Sequence, residues 1–170
     1  MKTVVTVVLV LVVLALAVLG FIYSGIYDVA AATPDTGLIQ WALETTQHSS
    51  VHRRAEQVQA PPLDDPGLIR TGMIEYHEMC VVCHGAPGVP ISPTGQGLNP
   101  APPLLVEESH EDAGELFWVT KNGIKMTGMP AFGVTHSDEE LWAIVAFMKR
   151  MGDLSPEEYQ RMVEEAGVPE

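Results

Sequence analysis

The sequence predicts an all-helical domain behind a single N-terminal membrane helix, and three observations carry that reading. An apolar run without one charged residue extends from Val4 to Ile26. Helix-start signatures then punctuate the chain at Asp65-Pro66, at Ser137 with Glu140, and at Ser155-Pro156 with Glu158. Beyond the apolar run there is no sustained alternation of apolar and polar residues and no hairpin dipeptide between β-branched stretches. Helices packed on helices are the architecture that remains.

The run from Val4 to Ile26 meets the roughly 20 residues that a helix needs to cross a bilayer. Thr6, Ser24 and three glycine or tyrosine positions are its only interruptions. A cleavable secretory signal has an apolar region of about 7 to 15 residues, which this run exceeds, although Ala30-Ala31-Ala32 resembles a cleavage site. Tyr23 and Tyr27 suit an interfacial belt. Residues 1–27 are therefore expected to be an uncleaved signal anchor in the cytoplasmic membrane. Lys2 is its only positive flank, which keeps the N-terminus inside and sends the rest to the periplasmic side.

The chain holds 22 Asp/Glu against 9 Lys/Arg, a net charge of −13. Only Lys2 among these charges precedes Asp28, so the exported part carries the acidic excess. That balance excludes nucleic acid and anionic lipid as partner surfaces. It fits either a domain kept dispersed by its own charge or one that meets a basic partner.

Residues 28–64 read as a partly helical tether. Leu38, Ile39, Trp41, Ala42 and Leu43 are spaced for one short amphipathic helix. Ser49 or Ser50 is placed to cap a second helix through Val58, which Pro61-Pro62 stops. Asp65 then supplies an N-cap with Pro66 at the first helical position, opening a helix expected to run to Cys83. Gly72, Tyr76 and Cys80 fall on one face of it. A glycine inside a helix costs about 1 kcal/mol relative to alanine, so Gly72 implies a close packing contact.

From Gly85 to Pro103 glycine and proline dominate, and the segment reads as a long loop wrapped around something, with Leu98, Leu104 and Leu105 inward. Asp112 with Glu115 resembles a capping box for a short helix that Gly123 stops. Ser137 with Glu140 repeats the signal, and Leu141, Ile144, Val145 and Met148 form an apolar face that ends at Lys149-Arg150. Residues 153–170 read as a final polar helix stopping at Gly167. Met73, Met79, Met148 and Met151 lie at helical positions suited to core packing.

The chemistry concentrates in Cys80-Val81-Val82-Cys83-His84, which uses both cysteines of the chain. C-x-x-C-H is the spacing of covalent haem attachment, in which two thiols add to the haem vinyl groups and the adjacent histidine ligates the iron. The competing readings lack their companions. A structural zinc site needs four ligands and finds no second cysteine pair. A redox-active C-x-x-C needs a βαβ context, and a disulfide across two residues is strained.

A six-coordinate iron needs a second axial donor, and the loop from Lys125 to Gly133 is the candidate. Met129 is favoured: a methionine thioether raises the reduction potential, Gly128 lets the backbone approach closely, and Pro130 stiffens the next residue. Met126 is its rival in the same loop. His77, His110 and His136 read as surface residues beside or on helices. Lys121 and Lys125 flank the loop as either a docking edge or partners of nearby anionic groups.

On these residues the chain resembles the class I monohaem c-type cytochromes of the small bacterial membrane-anchored kind, over roughly residues 65–152. Gly72, Tyr76, Cys80, Cys83 and His84 match that family's N-terminal helix, whose glycine admits a close crossing by the C-terminal helix. Ala146-Phe147-Met148-Lys149, with Ile144, matches the C-terminal helix, and Gly128-Met129-Pro130 matches the distal-ligand loop. The resemblance implies a cytochrome c fold around one covalent haem c, with His84 and Met129 axial to iron. It also implies that a proline carbonyl orients His84, and Pro102 and Pro103 both stand in the matching segment.

The expected function is then that of a membrane-anchored carrier passing single electrons between membrane or periplasmic donor and acceptor proteins. No catalytic residues and no bond chemistry are expected. A fixed subunit of a larger oxidoreductase complex is the first alternative. A haem sensor or peroxidase-like protein, in which Met129 leaves the iron, is the second.

Overall fold

The computed structural model describes residues 1–168 and divides into two compact units, residues 1–33 and a second beginning at Pro34. The first unit is built on helix α1 (Lys2–Ser24), which Gly25 ends in the left-handed conformation at φ 66°. No residue of α1 is buried by protein, and the helix is long and apolar enough to cross a membrane. Among the described residues this is the one such helix.

The second unit contains α2 (Gly37–Ala55), α3 (Pro66–Met79), the single turns α4 (Val81–His84) and α5 (Pro93–Gln96), α6 (Ala113–Asn122), α7 (Asp138–Met151) and α8 (Pro156–Ala166). A 3₁₀ turn at Phe132–Val134 precedes α7. Among the described residues no β-strand forms, apart from an isolated bridge between Ala86 and Val89. The chain is therefore all-helical, as the sequence predicts.

The central pairing is α3 on α7. Their crossing is close because Gly72 has no side chain: a Cβ there would overlap the Ala143 carbonyl. Around it Met73, Tyr76, Leu141, Ile144, Val145, Phe147 and Met151 are fully buried. Tyr76 and Phe147 meet at 5.3 Å between ring centroids. The methionines expected in the core are there, Met79 at its edge.

The helix ends follow their signals. Asp65 accepts from Leu68 N at 2.8 Å, with Pro66 in the first turn. Ser137 with Glu140 and Ser155 with Glu158 form reciprocal capping boxes. Asp112 accepts from Gly114 N and Glu115 N, but the Glu115 carboxylate meets His52 Nδ1 at 2.8 Å, so the expected box is half a box.

Three expectations change. Residues 37–55 form one helix where the sequence reads as two short ones, because the hydroxyls of its middle bond within the helix. Thr46 Oγ1 donates to Ala42 O at 2.7 Å, and Ser50 Oγ accepts from Arg54 at 2.8 Å. The C-terminal half of α2 packs on α6, burying Val51 and Ala55 beside Gly114. The helix expected to reach Cys83 ends at Met79. The proline-rich loop contains α5, and Leu104 on it is 41% exposed, while Leu105 packs against the core.

Helix α8 has a polar outer face, but its inner face buries Tyr159 and Val163 against α3. Tyr159 Oη lies 2.7 Å from His77 Nδ1, so the histidine expected at the surface is half-buried at this contact.

Candidate functional site

Cys80, Cys83 and His84 sit at and just after the end of α3, on one tight turn. Cys80 ends α3 at φ −105°, and its carbonyl accepts from both Cys83 N at 3.0 Å and His84 N at 2.9 Å. The two sulfurs are free thiols placed a turn apart. Burial pushes the Cys80 thiol up to about 12, so it is neutral near pH 7. Among the described residues no group of three or more His, Cys, Asp or Glu is placed to hold a metal ion.

The turn is braced on three sides. Tyr76 Oη, fully buried, donates to Gly85 O at 2.8 Å. Ser92 N donates to Val82 O at 3.2 Å, which draws the following loop back across the turn. Gly95 packs so closely that a Cβ would lie 3.0 Å from Cys83 Cα and 2.5 Å from Ile91.

His84 Nδ1 lies 2.9 Å from the Pro103 carbonyl oxygen. A carbonyl can only accept, so Nδ1 carries the proton and Nε2 keeps its lone pair. Burial also lowers the pKa of His84, partly offset by the Pro103 hydrogen bond, which favours the neutral ring. A neutral imidazole held by one nitrogen with the other left basic is the form that ligates a metal. Of the two prolines the sequence leaves open, the structure selects Pro103.

Met129 lies in a loop closed on itself. Its carbonyl accepts from Ile124 N at 3.2 Å and its N–H donates to Thr127 Oγ1 at 3.1 Å, while Thr127 Oγ1 donates to Ile124 O at 2.8 Å. Gly123, at φ 63°, lies against this closure, and a Cβ there would come within 2.8 Å of Met129 O. Gly128 faces Leu98, whose Cδ1 would be 2.7 Å from an added Cβ. The loop after the cysteine turn and the methionine loop are thus in contact through Leu98. Met129 is half-buried, whereas Met126 is 97% exposed on a backbone at φ 62°.

Thr127 was missed by sequence reasoning. Its role depends on bonding within a six-residue closure, and a threonine beside glycine carries no pattern that announces it. Lys121, read as either docking edge or ion-pair partner, takes the second part: its Nζ contacts both oxygens of Asp138 at 2.6 and 2.8 Å and lies 5.6 Å from the Phe117 ring centroid.

The donor set fits a covalently attached haem: two free thiols one turn apart, a neutral histidine with an available Nε2, and a half-buried thioether on a backbone-pinned loop. Residues 67–148 match the family model described as cytochrome c oxidase, cbb3-type, subunit III. No curated protein matches the chain. The matched segment begins in the first turn of α3 and ends within α7, so it contains both the cysteine turn and the methionine loop.

Proposed function

Residues 67–148 are a class I c-type cytochrome domain, an electron-transfer unit with covalently bound haem c, and we propose that this chain is a membrane-anchored monohaem carrier of single electrons. Cys80 and Cys83 would hold the haem through thioether bonds, and His84 Nε2 and the Met129 sulfur would bind its iron. When bound, the haem supplies a reversible one-electron couple, and His/Met ligation sets it towards high potential. The chain's own part is to attach, orient and tune. Tyr76 and Gly95 fix the turn, Pro103 fixes the His84 tautomer, and the Ile124–Thr127–Met129 closure fixes the second donor.

The observation that carries this reading is the His84 Nδ1 to Pro103 O contact at 2.9 Å, because it leaves one imidazole nitrogen basic beside two free thiols. Helix α1 is the single-pass anchor, and the haem domain lies on the periplasmic side, where it exchanges electrons with membrane or periplasmic donor and acceptor proteins. The chain's proposed part is electron transfer, with no catalytic residue of its own.

The intact mass of the detergent-extracted protein tests this. The expected result is one haem adduct on the full-length chain together with a low-spin c-type spectrum after reduction. A chain without the adduct, or a reduced spectrum of another class, overturns the reading.

A second reading is favoured by the matched family's description as an oxidase subunit: the chain is a fixed component of a larger oxidoreductase. Native electrophoresis after mild detergent extraction separates the two. Migration at the chain's own size supports the carrier, and co-migration with other haem proteins supports the subunit.

A further inference from the structure

Helix α2 changes character along its length. Its C-terminal half is docked on α6 through Val51 and Ala55, but its N-terminal half has no comparable cover. There Leu38 is 74%, Trp41 63% and Leu43 60% exposed, and Ala42 lies between them. At 100° per residue these side chains share one broad arc of the helix, and the opposite arc carries Gln40 and Glu44. Those two polar residues are tied together, Gln40 Nε2 donating to Glu44 Oε1 at 2.9 Å. The half-helix is thus sorted into an apolar side open to its surroundings and a polar side bonded to itself.

We propose that the N-terminal half of α2 lies in the headgroup region of the bilayer, apolar arc down, as an interfacial helix. The proposal rests on the reading of α1 as a membrane anchor. Only residues 25–36 separate the end of α1 from the start of α2, and a chain of that length spans at most about 40 Å even when fully extended. That connection keeps Leu38 and Trp41 within about 40 Å of the end of α1. Tryptophan with aliphatic neighbours is the composition that partitions to this depth. Glu44 is the only Asp, Glu, Lys or Arg between Gly37 and Gln47, so this stretch escapes the acidic excess of the rest. Burial of apolar area, not attraction to lipid charge, then drives the contact. A helix seated at one end in the membrane and docked at the other on α6 would restrict the tilt of the cytochrome domain.

The test uses the full-length holoprotein in phosphatidylcholine nanodiscs. Nitroxide labels are placed singly at Leu38→Cys and Ala42→Cys on the apolar arc, and at Gln40→Cys and Glu44→Cys on the polar arc. All four positions are exposed, so the core is not disturbed. Thioether attachment of haem leaves the introduced cysteine as the only free thiol, and the c-type spectrum reports that each variant is folded. Positions 38 and 42 should show collision with oxygen raised over collision with an aqueous nickel chelate, and positions 40 and 44 the reverse. Four equally aqueous labels overturn the proposal. So does shielding at 38 and 42 that occurs in native membranes but not in lipid-only discs, since a protein then covers the face. Failure of the protein to co-elute with the discs at all counts against the anchor reading instead.

Discussion

Gly72 of α3 lies directly against the backbone of Ala143 in α7, so that a Cβ on it would overlap the Ala143 carbonyl and reach within 2.9 Å of Ile144 N. The obstructing atoms are main-chain atoms at the centre of the fully buried core, and neither helix can yield without parting Tyr76 from Phe147. Gly72→Ala would gain about 1 kcal/mol of helix propensity against an overpacking cost of typically about 1–3 kcal/mol, here towards the upper end or beyond. The expected outcome is a net loss of stability in thermal unfolding of the holoprotein. Gly37→Ala, where nothing lies within 4 Å, is the control and should not destabilise.

Tyr76 carries a second role on the same face. Its buried hydroxyl donates to Gly85 O at 2.8 Å, tying α3 to the residue after His84. Tyr76→Phe keeps the ring against Phe147 but leaves a buried carbonyl without this donor, a loss of about 1–3 kcal/mol. Denaturant unfolding should show the lower midpoint with an unchanged slope, because the core is otherwise retained. An unchanged midpoint would mean that Gly85 O finds another donor.

Much of this fold was legible because local signals and tertiary packing agree. The caps at Asp65, Ser137 and Ser155 are readable from side-chain chemistry alone, and Gly72 declared its contact by the cost of having no side chain. What escaped depended on bonds between residues distant in the chain. Pro102 and Pro103 are adjacent and alike, and only the fold shows which carbonyl faces His84. Ser49 or Ser50 reads as a helix cap until Ser50 Oγ is seen to accept from Arg54 inside the helix, and Glu115 completes a capping box on paper but bonds His52 in space. Cys80, a helical position by periodicity, is where α3 stops and the turn to His84 begins.

The two methionines of the distal loop should separate cleanly. Met126 is 97% exposed, and Met126→Ala should leave the spectrum and reduction potential of the holoprotein unchanged. Met129→Ala removes the proposed thioether donor, and its potential should fall, because methionine ligation favours the reduced iron. Spectroelectrochemical titration of both variants checks this. The assignment of Met129 fails if its variant titrates with the unaltered protein or if the Met126 variant shifts in its place.

The contact of α2 with α6 is expected to depend on pH. His52 Nδ1 lies 2.8 Å from Glu115 Oε1, and Nε2 lies 3.8 Å from Glu56. The Glu115 hydrogen bond, then its charge, raise the pKa of His52 above its ordinary value, with smaller help from Glu56 and Asp112 and a small opposing effect of burial. A raised folded-state pKa means that the pair contributes fully below about 6.5, the unfolded histidine value, and that the contribution disappears as pH rises through the folded value. His52 is largely solvent-exposed, so salt should weaken the effect. His52→Ala should therefore melt below the unaltered protein near pH 6 at low ionic strength, and the gap between the two curves should narrow in alkaline buffer, where the charge on His52 is lost. Curves separated by a constant interval at all pH values would show that the His52 ring contributes packing and no charge.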